Sequence, residues 1–306
     1  MYRVANFAQH QLTLSYTLQT QSNAARTQIQ IASGKTAQQY SEISHNSNQL
    51  VSLERDIQMS EKFTQNIDQV VARLNIMESS IATMVERATE ILGIMSQGLS
   101  GSNIDDLPLE EFSATFLQET AGLINTQHEG RYLFGGSLTD TRPVDLTDPA
   151  YTPAAGLPGV FTADTDYYQG DQTELSVRAD DSFETVYGVT GDNPAFEEML
   201  RALAYMDYAG ANLDTTVLEE AYVLMKSAID GLSDLRGQIG ANSLVLEKTK
   251  EGHENFQTYA ENIVSSIEDT DIAAATTQLS MDELTLQGSY LALSRLSSLN
   301  LISFLR

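Results

Sequence analysis

Apolar positions between Ile67 and Met95 recur in steps of three and four: Ile67, Val70, Leu74, Met77, Ile81, Met84, Ala88, Ile91 and Met95. Such a stripe lies on one side of a helix and repeats every seven residues, so this segment is predicted to pack lengthwise against other helices. The pattern specifies burial without specifying the partner. It fades near Gly93, Gly98 and Gly101, and a new helix is predicted from Asp106-Leu107-Pro108-Leu109-Glu110-Glu111 to about Gln127. Proline near the first helical position and acids in the first turn both suit a helix start. From Gly130 to Gly191 the texture turns to Tyr, Thr, Gly, Asp and Pro, with alternation around Glu174-Leu175-Ser176-Val177 and Thr185-Val186-Tyr187. Short strands joined by turns are predicted there. Phe196, Met199, Leu200 and Leu203 restore helical spacing after Pro194, and a long helix is predicted from about Thr216 through Asp269.

All six prolines fall between 108 and 194, which leaves both flanks free to form long helices. The predicted fold class is mainly α with a small β-rich insert, the N- and C-terminal flanks forming an antiparallel coiled-coil helical bundle. Three domains are expected: residues 1–41 with 270–306 as a terminal coiled-coil assembly domain, 42–129 with 195–269 as a helical bundle, and 130–194 as a β-rich surface domain.

Charge changes this picture. The 306-residue chain carries 42 acidic and 17 basic side chains, a net charge of −25. That balance offers no footprint for nucleic acid and repels an anionic membrane surface. Residues 1–41 nevertheless contain Arg3, Arg26 and Lys35 and no acid, and residues 284–306 contain Arg295 and Arg306 and no acid, leaving −30 on residues 42–283. In a homopolymer each residue recurs at every subunit, so a carboxylate near the axis would face copies of itself in partly desolvated surroundings. Neutral amides and leucines avoid that repulsion. The C-terminal run 291–305 is rich in leucine and calls for burial on several sides, unlike a disordered tail. The N-terminal stripe Val4, Phe7, Leu14, Leu18 and Ile29 is the partner of matching length. Val4, Phe7, Leu14, Leu18, Ile29, Leu286, Leu293, Leu296, Leu301 and Phe304 are the expected assembly interface. In a free monomer two such helices have little core to rest on, so they are expected to order when neighbours arrive.

Candidate chemistry adds little. With no cysteine, there are no disulfides, thiolate metal sites or thiol nucleophiles. His10, His45, His128 and His253 are scattered, with no H-E-x-x-H or triad spacing around them. The eleven acids between 140 and 195 lack the glycine and terminal glutamate spacing of a calcium loop and read as a solvated outer face. No catalytic residue, cofactor or metal site is expected. No membrane span is expected, nor a cleavable signal at the start of the chain.

Several segments resemble the family of flagellins and hook-associated protein 3. Gln28-Ile29-Gln30-Ile31-Ala32-Ser33-Gly34-Lys35 resembles the family's aliphatic stretch closing in Ser-Gly-Lys, and Arg236-Gly237-Gln238-Ile239-Gly240-Ala241-Asn242 its Arg-x-x-x-Gly-Ala segment. Ile267-Glu268-Asp269-Thr270-Asp271-Ile272-Ala273 resembles its Ile-x-Asp-x-Asp-x-Ala motif. Three features are similar to the hook-associated branch: Gly130-Arg131-Tyr132-Leu133-Phe134-Gly135-Gly136, Tyr168-Gln169-Gly170-Asp171, and the terminus Leu296 to Leu305. Residues 36–44 depart from the family, lacking its Asp-rich, Pro-containing loop. The resemblance implies an extracellular structural part of the flagellum, exported without a cleaved signal, with hook-associated protein 1, filament flagellin, further copies of itself and an export chaperone as partners. Two rival readings are filament flagellin itself and, in another class, a secreted coiled-coil adhesin or protease.

Overall fold

The computed structural model describes residues 2–43, 46–100 and 104–304, with side chains described from 8 to 295 within those ranges. Six helices carry the fold: α1 (Tyr2–Ser33), α2 (Ser47–Leu99), α3 (Leu109–Ile124), α4 (Pro194–Asn212), α5 (Thr215–Glu268) and α6 (Ile272–Phe304). A short 3₁₀ turn, Tyr40–Ile43, lies between α1 and α2. Two compact units form, one from residues 1–59 with 256–306 and the other from 60–255. The fold is mainly α, with small antiparallel sheets in the insert.

In the unit of residues 60–255, all nine members of the predicted α2 stripe are buried, none more than 6% exposed. They share one core with Phe196, Met199, Leu200, Leu203 and Met206 of α4 and Val217, Leu218, Met225 and Leu232 of α5. The helix ends follow from local chemistry. Asn193 accepts a hydrogen bond from the Ala195 amide at 3.1 Å ahead of a first-turn proline, and Asp214 accepts from Thr216 at 2.9 Å and Val217 at 3.2 Å, so α4 and α5 each open on a capping side chain. Helix α3 is shorter than predicted at both ends. It begins directly after Pro108 and stops at Asn125, whose side-chain amide exchanges two bonds with the Val144 backbone, at 2.9 and 3.0 Å.

Between α3 and α4, strands β1 (Gln127–His128) and β2 (Arg131–Tyr132) form one hairpin, turned through Glu129 and Gly130 at φ 51° and 77°. Strands β3 (Ser176–Arg178) and β4 (Glu184–Val186) form the other, close to the two alternating segments of the sequence. Most of the insert is irregular, because its aspartates compete with the ladder for backbone amides. Asp145 accepts from Thr147 N at 2.9 Å and Asp148 from Ala150 N at 2.9 Å. Asp164 accepts from Thr152 N at 2.6 Å and Asp166 N at 3.0 Å.

One knot fixes the insert to the helices, and it joins two segments distant in sequence. The Asp171 carboxylate accepts from the Ser137 amide at 2.6 Å and also binds the Ser137 hydroxyl, while the Tyr168 hydroxyl donates to the Asp171 carbonyl at 2.7 Å. Phe134 packs edge-on against Phe196 of α4, ring centroids 5.4 Å apart, and its carbonyl accepts from Gly191 N at 2.8 Å. Buried Tyr167 donates to the Gly191 carbonyl at 2.9 Å, and burial pushes its phenol far above the ordinary tyrosine range. Gly136 sits at φ 66°, and a Cβ there would lie 2.1 Å from an Asp171 carboxylate oxygen and 2.3 Å from its carbonyl. The sequence Gly130–Gly136 and the sequence Tyr168–Asp171 are therefore two halves of one structure. Gly136→Ala should destabilise this unit by more than the ~1–2 kcal/mol of left-handed strain alone. Denaturant unfolding of the variant checks this; an unchanged midpoint would mean that the knot yields without cost.

Candidate assembly surface on the terminal hairpin

The unit built from the two ends of the chain contains α1 and α6, paired antiparallel. The link is made where α1 ends. Gly34 at φ 72° terminates the helix, its amide bonded to Gln30 O at 2.8 Å. Backbone bonds then cross from Thr36 N to Glu268 O at 2.6 Å and from Thr270 N to Gly34 O at 2.9 Å. The Lys35 ammonium reaches both Glu268 and Asp269 at 2.9 Å, and Ser265 binds the second oxygen of Asp269. The Ser-Gly-Lys segment and the Asp-x-Asp segment thus form one clasp, reached by residues more than two hundred positions apart.

The charges of the clasp shift accordingly. Hydrogen bonds from Ser265 and Lys35 hold Asp269 below the usual carboxylate range, and bonds to Asp269 and Glu268 raise Lys35. Stability from a depressed carboxylate is present above its unfolded pKa and lost as pH falls through the folded one. A raised lysine contributes below its unfolded pKa and is lost as pH rises through the folded one. The clasp is therefore intact across neutral pH.

From the clasp, the two helices meet along a seam to which α1 contributes mainly small residues. On α1 the inward positions His10, Thr13, Thr17, Thr20, Ala24, Thr27 and Ile31 alternate in steps of three and four. On α6 the matching positions are Ala275, Leu279, Asp282, Leu286, Ser289 and Leu293. Each α1 threonine hydroxyl donates to the carbonyl four residues back, at 2.8 to 3.1 Å, so the seam receives a methyl group and no unsatisfied donor. Asp282 is the exception. It is 8% exposed, one oxygen accepts from Gln278 at 2.9 Å, and the other is buried with no partner.

Large apolar side chains lie on the outside. Leu14, Leu18 and Ile29 are 43%, 56% and 52% exposed, and Leu12 and Tyr16 are exposed beside them. On α6, Ile272, Met281, Tyr290, Leu284 at 71% and Leu291 at 64% are likewise exposed. This corrects one expectation from the sequence. The stripe containing Leu14, Leu18 and Ile29 does not cover the C-terminal leucines within the chain, because the three- and four-residue spacing that faces α6 is filled by threonine and alanine. Leu286 and Leu293 do lie on the seam, half-buried. Val4, Phe7, Leu296, Leu301 and Phe304 fall outside the described side chains.

Other sequence candidates have structural explanations. Arg236 binds Glu78 of α2 through Nε at 2.8 Å, and Asn242 reaches the Val186 carbonyl at 3.2 Å, so the Arg236–Asn242 segment ties α5 to α2 and β4. His253 stacks on Phe63 and lies 2.8 Å from the Ala179 carbonyl. Among the described residues no group of three or more His, Asp or Glu is placed to hold a metal, since the insert's aspartates are engaged with backbone amides. No described helix is long and apolar enough to cross a membrane.

Replacing Lys35 by Ala should raise amide exchange at Thr36 and Thr270 at neutral pH, and acidification through the depressed Asp269 pKa should do the same in the unaltered chain. Exchange that matches the parent at both amides would show that backbone pairing holds the clasp by itself.

Comparison with known proteins agrees with this architecture. Residues 223–305 match the family described as the bacterial flagellin C-terminal helical region. No curated protein matches the chain. Among solved structures, a chain described as a flagellar hook-associated protein from Vibrio parahaemolyticus aligns with TM-score 0.58 and 16% identity, covering 72% of this chain and 97% of that one. Bacillus cereus FlgL aligns with TM-score 0.56 and 18% identity, covering 70% of this chain and 99% of its own. The C-terminal flank is thus similar to the helical region of bacterial flagellin, and the chain shares its fold with these two flagellar proteins.

Proposed function

We propose that this chain is a structural subunit of the bacterial flagellum, located outside the cell, that polymerises through its two terminal helices. The observation that carries the reading is the outer surface of the hairpin: α1 meets the seam mainly with threonine and alanine, while Leu12, Leu14, Leu18, Ile29, Leu284 and Leu291 lie exposed. A helix pair exposing leucine on two surfaces gains stability when neighbouring helices cover them. Each half-exposed leucine contributes on the order of 1 kcal/mol when buried. The low charge of the two ends supports the same reading, since stacked copies would otherwise bring carboxylates together.

Within the flagellum, the hook-associated fold and the Gly130–Gly136 knot with Asp171 support a junction role. The chain would stand between hook-associated protein 1 and filament flagellin, in contact with further copies of itself, after export with the help of a chaperone and without signal cleavage. The acidic insert would face solvent. We read the protein as structural and not as an enzyme. Filament flagellin is the second reading, favoured by the match of residues 223–305.

Electron microscopy of a strain lacking the gene separates the two. Intact hooks with flagellin shed into the medium are expected for the junction role, and a missing filament above a complete junction would replace it with the flagellin reading. The paired substitution of Leu284 and Leu291 by Ser should leave residues 60–255 folded by circular dichroism and abolish incorporation into the flagellum. Normal incorporation of that variant would remove the outer face of α6 from the assembly contact.

A further inference from the structure

Asp282 stands alone among the residues of the hairpin seam. Every other described inward position of α6 is Ala, Leu or Ser, and every one on α1 is His, Thr, Ala or Ile. Its carboxylate is buried, with a single hydrogen bond from Gln278 one turn earlier on the same helix, and its second oxygen has no donor within reach. Among its described side chains, helix α1 supplies no compensating cation. Arg26, the one Arg or Lys among its described side chains, is exposed and forms no ion pair with Asp282. The seam threonines spend their hydroxyl protons on their own backbone carbonyls, so none of those bonds serves Asp282.

We infer that Asp282 is a built-in destabiliser of the α1–α6 hairpin, keeping it loosely closed in the free subunit so that the pair becomes firmly ordered only when other subunits cover its outer faces. A carboxylate taken out of water with one donor opposes closure, and the α1 side of the seam, largely threonine and alanine, gives Leu279, Leu286 and Leu293 little apolar area to pack against. Covering the exposed leucines supplies what the seam lacks. The free subunit is thereby restrained from ordering its assembly surface, and from self-associating through it, before a template is present. The inference rests on the assembly reading above and assigns its regulation to one residue.

Hydrogen exchange by mass spectrometry on the full-length soluble chain tests it, comparing the parent with Asp282→Leu and the near-isosteric Asp282→Asn. Protection over residues 8–33 and 272–295 should rise about tenfold or more in the Leu variant, the factor expected when one unsatisfied buried polar group is removed. The Asn variant, which loses the charge and keeps the shape, should rise by less. The Leu variant should also self-associate at lower concentration without a template. Protection that is unchanged or lower in both variants overturns the inference; a rise in either, with the unfolding of residues 60–255 unaltered, supports it. Should the hairpin tighten while the gene-deletion strain has normal flagella, the inference stands and the flagellar reading falls.

Discussion

The close approach of α1 and α6 through threonine and alanine determines what this molecule presents to its surroundings. Small β-branched side chains whose hydroxyls are bonded to their own helix let two backbones come together without leaving a polar group unsatisfied. The same choice leaves Leu12, Leu14, Tyr16, Leu18 and Ile29 of α1 on the outside. A seam filled with leucine would have made a sturdier hairpin with an inert exterior. Here large apolar side chains of both helices lie on the exterior.

The two compact units divide the work along chemical lines. Residues 60–255 hold a large aliphatic and aromatic core built from α2, α3, α4 and α5, with the insert pinned to it by Phe134, Tyr167 and the Asp171 knot. The terminal unit has few fully buried apolar side chains among its described residues, Leu50, Ala24, Ala260 and Ala275 among them. The clasp at Lys35 ties its two helices together. All of the acidic side chains lie within residues 42–283, which spares the two ends of the chain.

Much of this was legible in the sequence. The nine-position stripe of α2 is buried as its spacing demands, because a heptad repeat in a long uninterrupted helix admits few alternatives. Helical spacing after Pro194 and from about Thr216 located the starts of α4 and α5 for a similar reason: the pattern is local. The pairing within the terminal hairpin was not legible, since hydrophobicity points to Leu14 and Leu18 while the contact uses Thr17 and Thr27. A threonine whose hydroxyl is turned back on its helix behaves as an apolar residue, and nothing in a list of side chains reveals that turn. The insert's extended strands were overestimated for a related reason. Its aspartates take amides that alternation alone would assign to a ladder. The link between Gly136 and Asp171, and that between Lys35 and Asp269, are contacts across distance that no spacing rule could supply.

The position of the clasp has a mechanical consequence. It secures the hairpin at the inner end, where α1 stops and α6 begins, so Tyr2 and Phe304 lie at the opposite end of the pair. Tension applied to either terminus therefore peels the pair like a zip, parting one layer of side chains at a time. Helices fastened at both ends would resist in shear, with every layer loaded together. Drawing the two helix ends apart meets the smaller of these two resistances, and the last obstacle is the ion-paired corner at Lys35.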